Sequence, residues 1–180
     1  MPHPEQPIPI DRLDLKKTGE LLACHEPRFA YSVLAAANIA WHQQTREDYL
    51  ANHQNLSRKG EQLGALIVPV LKLCVMCARQ LAECECATKE ALRAPGVAAF
   101  LPNVAWLGKQ IAGLRYDAAI VVFEEYERVL RTQVHKTGSC SKKTSECDGV
   151  SMLKLKLADA VHKVPVKLMD MLRISLRHMD

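Results

Sequence analysis

Leu63–Ala78 reads LGALIVPVLKLCVMCA, sixteen residues in which only Lys72 is charged. The chain's pattern is organised around this stretch. It predicts the middle of a helix from about Glu61 to about Arg93, with Pro69 expected to kink or divide it by removing one backbone donor. Beyond Pro69 the pattern turns amphipathic. Lys72, Arg79, Glu83 and Glu90 recur on one side, and Val70, Leu73, Cys74, Cys77, Leu81 and Cys84 on the other. Pro95-Gly96 is a strong stop. Apolar nearly all round before its kink, this helix is expected to be the most enclosed of the fold.

The same periodicity predicts three further long helices. Phe29, Val33, Ala37 and Ala40 form one apolar face of a helix starting near Pro27, widened by Ala35, Ala36, Ile39 and Trp41. After His42 this segment becomes polar. It runs on as a solvated rod to Arg58 or breaks near Gln43, with Gly60 as a C-cap in either case. Leu107, Ile111, Leu114, Ala118 and Val121 alternate spacings of four and three, a coiled-coil-like seam for one helix opening at Pro102-Asn103 and reaching about Val134. Ser151–Asp180 reads as two helical pieces divided at Pro165. Leu153, Leu157 and Val161 line the first. Leu168, Leu172 and Leu176, or the adjoining Met169, Ile174 and Met179, line the second.

Punctuation supplies the remaining boundaries. Four prolines within residues 1–10 favour an extended arm. Asp11 is expected to cap a short helix through Lys17, interrupted at Gly19, with a second turn over Glu20–His25 ending before Pro27. HKTGSCSKKTSECDGV, residues 135–150, has no period and reads as a polar loop. The prediction is an all-α fold: residues 11–180 as one helical bundle of four main helices, about 28–58, 61–93, 103–134 and 151–180, plus short N-terminal helices. Only 5% aromatic residues and eight glycines agree with helices rather than many short strands.

Charge changes the picture at one end. Residues 1–130 hold 14 Lys/Arg and 15 Asp/Glu, while residues 131–180 hold 10 and 5, so the net +4 belongs to the C-terminal part. Lys142, Lys143, Lys154, Lys163, Lys167, Arg173 and Arg177 are therefore the candidate contacts for nucleic-acid phosphates or an acidic partner. Aromatic residues stop at Tyr126, leaving nothing in that region to stack on single-stranded bases. The bland alternative is a helix that is basic on its wet face.

The seven cysteines carry the most distinctive chemistry. Cys74-x2-Cys77 has a spacing found in zinc sites, and Cys84-x-Cys86 follows closely. Helix geometry opposes a single four-thiolate site. Cys74 and Cys84 would stand about 15 Å apart along the axis, and Cys86 points about 200° from Cys84 at about 100° per residue. Cys74 and Cys77 remain weak metal candidates beside a reading as small core side chains. Cys86 is open to redox or palmitoyl chemistry. Cys140 and Cys147, near Lys142 and Lys143, could be reactive or pair under oxidation. No Glu-x-x-His pair, phosphate-binding glycine loop, G-x-S-x-G, H-E-x-x-H or EF-hand loop occurs. Glu124, Glu125 and Glu127 read as a solvated helix end rather than as catalytic carboxylates. No catalytic residue and no cofactor are implied.

An odd cysteine count and an N-terminus without a secretory pattern suit an intracellular protein with reduced thiols, expected in the cytoplasm, with the nucleus as the alternative. No apolar run reaches the roughly 20 residues of a bilayer span, so no transmembrane segment is expected. The leading expectation is a non-catalytic helical protein-interaction protein, an adaptor, regulatory or assembly subunit that self-associates as a homo-oligomer. The alternative is a basic helical nucleic-acid-binding protein using its C-terminal segment, and the third reading is a thiol- or metal-sensing protein.

Overall fold

The computed structural model describes residues 14–24, 26–50, 58–83, 104–136 and 145–177. It is all-α. Six helices run α1 Leu15–Cys24, α2 Pro27–Leu50, α3 Arg58–Glu83, α4 Val104–Gly113, α5 Tyr116–Lys136 and α6 Ser145–Arg177, with no strand among the described residues. Packing neighbours form a ring: α2 lies on α3, α3 on α6, α6 on α5, α5 on α1, and α1 touches α2 again; α4 packs on α2. Four longer helices, α2, α3, α5 and α6, are thus accompanied by the shorter α1 and α4. The predicted arm at 1–10 and the Asp11 cap lie outside the described residues.

Each helix turns one apolar row inward. In α3 the row is Leu63, Ile67, Val70, Cys74 and Cys77, all buried, with the alternating four-three spacing of a helix seam. In α2 it is Phe29, Val33, Leu34, Ala37 and Trp41; in α6, Leu157, Val161, Val164 and Leu168. Phe123 and Tyr126 of α5 are among the largest fully enclosed side chains. Burying a side chain of that size is worth roughly 1.5–3 kcal/mol, so these rows hold the ring together.

Several boundaries differ from the sequence expectation. Gly60, expected to cap the end of α2, lies instead in the first turn of α3, which begins at Arg58. Four other differences each have a physical reason. The region 103–134 is two helices, not one, separated at Leu114 and Arg115. Gly113 ends α4, and the break resets the helical phase. Leu107, Ile111 and Leu114 are buried as the seam predicts, but beyond the break Ile120, Val122 and Phe123 take the core while Ala118 and Val121 are only half-buried. Ending α4 strands its last carbonyls, and the Trp41 indole N–H from α2 donates to one of them, Ala112 O, at 3.1 Å. Secondly, α1 begins at Leu15 and is capped by Asp14, whose carboxylate accepts from Lys17 N–H at 3.0 Å. The helix passes straight through Gly19, where the missing side chain lets α1 lie against the α5 backbone at Val122. The far end of α1 is closed by Gln133 of α5, which donates to Ala23 O at 2.9 Å.

Thirdly, neither internal proline divides its helix: α3 continues through Pro69 and α6 through Pro165. Each proline removes one backbone donor, and the flanking turns keep theirs. Fourthly, the polar loop is shorter than 135–150, because α5 extends to Lys136 and α6 begins at Ser145. The start, SECD, puts two acids in the first turn, where the helix dipole favours them.

Candidate interaction surface

The helix α3 is built into the ring by its inner row and is open on the other side. Ala65, Val68, Pro69, Lys72 and Met76 recur at helical spacing and are all exposed, Val68 by 55% and Met76 by 41%. From Ala65 to Met76 the row is about 16 Å long at about 1.5 Å per residue. The expectation that this would be the most enclosed helix is therefore corrected. Two neighbours, α2 and α6, cover the inner side of α3. They leave the opposite arc bare, apolar except for Lys72, and Arg79 and Glu83 continue the same arc toward the C-terminal end. Gln62–Glu83, 22 residues, is long and apolar enough to cross a membrane by length and composition only, and 28% of its most apolar window is buried inside the bundle.

The weak metal candidates Cys74 and Cys77 sit on the inner row, both fully buried. Cys74 Sγ lies 3.7 Å from the Tyr126 hydroxyl across the core, and either group can donate. Burial pushes the Cys74 thiol up to about 12, the Tyr126 hydrogen bond opposing it only in part. Burial likewise raises Cys77 to about 11, against the lowering pull of the Lys154 charge. Both are neutral thiols at physiological pH, the opposite of the thiolate form that metals and electrophiles need. Among the described residues no three His, Cys, Asp or Glu side chains cluster. Cys24 is exposed. Cys84, Cys86 and Cys140 fall outside the described residues; Cys147 belongs to α6.

The basic candidates divide. Lys163, Lys167, Arg173 and Arg177 are exposed on α6. Lys154 is half-buried on the inward side near Cys77, away from that surface. Its place in the row is taken by exposed Lys156, which stands seven and eleven residues before Lys163 and Lys167 and shares their face. The alternation LKLKL at 153–157 places both lysines without saying which faces in; the burial of Leu157 settles it. Lys142 and Lys143 lie outside the described residues. Exposed Met152, Leu155, Val166 and Ile174 are interleaved with these cations.

No family model, curated protein or solved structure matches this chain. The surfaces must therefore be read on their own chemistry.

The Glu124–Glu127 segment is structural in its geometry. Glu125 accepts from Arg128 at 2.6 and 3.0 Å, and this guanidinium holds its carboxyl below the usual range. Glu127 accepts from Arg131 Nε at 3.0 Å and lies 2.9 Å from His162 Nδ1, while Arg131 also donates to Asp159 at 2.8 Å. These contacts lace α5 to α6 along the edge of the core. Glu125 and Glu127 are engaged by cations, and the contacts of Glu127 with His162 and of Arg131 with Asp159 tie the two helices.

Proposed function

We propose that the chain is a non-catalytic helical interaction protein, an adaptor, regulatory or assembly subunit, that takes an amphipathic helix of a protein partner on the outer row of α3. One mismatch carries the reading: the helix with the longest apolar stretch among the described residues keeps Ala65, Val68, Pro69 and Met76 in the open. Contiguous apolar rows with a polar margin mark interaction sites, and helix-in-groove recognition uses anchors at this spacing. The inner row of α3 is part of the bundle core, which favours docking at the bundle surface over insertion of α3 into a bilayer. Self-association through the same row belongs to this reading.

The test is affinity purification from native lysate, with and without nuclease, using wild type and Val68→Asp/Met76→Asp, combined with light scattering. A protein or second copy held by wild type, resistant to nuclease and lost from the variant is expected. A strict monomer whose recovered proteins are the same for both chains would sink the proposal.

A second reading rests on Lys156, Lys163, Lys167, Arg173 and Arg177, five exposed cations along α6 that suit phosphate contact without base reading. It requires retention on heparin that falls with salt and with joint reversal of the three lysines; unchanged retention removes it. A thiol-sensing role draws no support from Cys74 and Cys77, which burial keeps protonated.

A further inference from the structure

Beside the outer row of α3 lies a cleft of about 170 Å³. Arg28 and Tyr31, from the start of α2, and Cys74, Val75, Ala78 and Arg79, from the later turns of α3, line it. Val75 and Ala78 give it an apolar wall, with Cys74 behind them turned toward the core. Its rim carries two exposed guanidinium groups, and neither Arg28 nor Arg79 has an acidic partner among the described residues. Tyr31, 40% exposed, adds a hydroxyl. Arg79 belongs to both features, since it stands seven residues beyond Lys72 on the outer row.

The size decides what kind of ligand suits it. Sites for free small molecules run to about 300–1,000 Å³, well above this cleft. A single side chain presented from a neighbouring surface needs less room. Arginine forks match the planar carboxylate in a bidentate way, and such charge-assisted bonds are the strong ones. We propose that the Arg28–Arg79 cleft receives a glutamate or aspartate side chain of the helical partner that lies along Ala65–Met76. The inference rests on the reading of α3 as a partner surface and adds to it the chemistry of the partner: apolar anchors followed by an acid, with the charge sign opposite to Lys72, Arg28 and Arg79.

The probe is a fluorescent amphipathic peptide of about 16 residues, long enough for the exposed row. It carries leucines at helical spacing and one glutamate a turn beyond the last; a twin peptide has glutamine there. Both are titrated by anisotropy against the full chain. The glutamate peptide is expected to bind about tenfold or more tightly than the glutamine peptide. Arg28→Gln/Arg79→Gln should make the two equal, while Val68→Asp/Met76→Asp should lose both. Circular dichroism confirms that each variant is folded. Equal binding of the two peptides by wild type, still lost in Val68→Asp/Met76→Asp, overturns the carboxylate socket and leaves the α3 reading standing. Absence of binding by either peptide, or binding indifferent to both sets of substitutions, overturns both. Displacement of the glutamate peptide by inorganic phosphate at much lower concentration than by acetate would assign the socket to phosphate and overturn the carboxylate proposal.

Discussion

Cys74 Sγ and the Tyr126 hydroxyl meet at 3.7 Å inside the core, joining α3 to α5 across the ring. Both groups are held in their neutral forms by burial. Cys74 and Cys77 titrate at about 12 and about 11 in the folded chain, against an ordinary 9.0. Their contribution to stability is therefore complete below about pH 9 and is lost as pH rises toward those values, because the unfolded chain gives up its protons first. Urea midpoints should fall between about pH 9 and about pH 11 more steeply in wild type than in Cys74→Ala/Cys77→Ala. Peptide mapping after brief alkylation should find exposed Cys24 modified well before either buried thiol; faster labelling of Cys74 would contradict this account.

Two helix crossings depend on a missing side chain. A methyl at Gly19 would run into Val122 O and the Glu125 Cβ, and one at Gly108 would stand 2.8 Å from Val33 O and 2.5 Å from the Ala36 Cβ. Helix propensity alone favours Ala over Gly by about 1 kcal/mol. Backbone contacts cannot yield as flexible side chains do, so Gly19→Ala and Gly108→Ala should each cost about 2 kcal/mol or more net. Gly113→Ala is the control, since its Cβ would meet nothing within 4 Å. Denaturant melts on the three variants should separate the first two from the third.

The Trp41 indole is the donor that meets the stranded Ala112 carbonyl at the end of α4. Trp41→Phe keeps a ring in the core but leaves a buried acceptor unmatched, for about 1–3 kcal/mol. Gln133→Ala, which uncaps the partly buried Ala23 carbonyl, should cost less. Reversal of that order in urea unfolding would mean that Trp41 acts by packing and not by its N–H.

Opposite faces of α3 should respond differently to the same change. Val68→Asp and Met76→Asp face outward and should shift stability by no more than about 0.5 kcal/mol each. Val70→Asp buries an unpaired carboxylate at a fully enclosed position and should unfold the chain. Thermal melts monitored by circular dichroism distinguish them. Strong destabilisation by Val68→Asp would show that this face is covered in solution, by a second copy or by another part of the chain.

Local patterning carried the helical class of the fold and much of its facing. The four-three spacing of Leu63, Ile67, Val70, Cys74 and Cys77 is a one-dimensional signal, as is the placement of Lys72, Arg79 and Glu83 on the opposite arc of α3. Where the helix is apolar on both sides, that signal does not say which side is covered. Periodicity reports which residues share a face, and the number of neighbours decides whether that face is covered. With its main described contacts to α2 and α6, and Cys74 reaching Tyr126 of α5 on the same inner side, α3 keeps Val68 and Met76 in the open.

Other decisions belonged to tertiary structure for equally physical reasons. The continuous seam from Leu107 to Val121 gave no sign of a break at Leu114, because heptad spacing is blind to a change of phase. The break stands where Trp41, 71 residues away, supplies the missing donor. Gly19 reads as a helix breaker from propensity and is a crossing point because α5 approaches it. Lys154 and Lys156 differ in role only through the packing of Leu157. The sequence by itself determined that this chain makes amphipathic helices with a cysteine-bearing seam and a basic last helix. The ring of contacts alone decided that Cys74 faces Tyr126, that Arg28 and Arg79 share a cleft, and that α3 has an open apolar side, because these depend on residues far apart in the chain meeting in space.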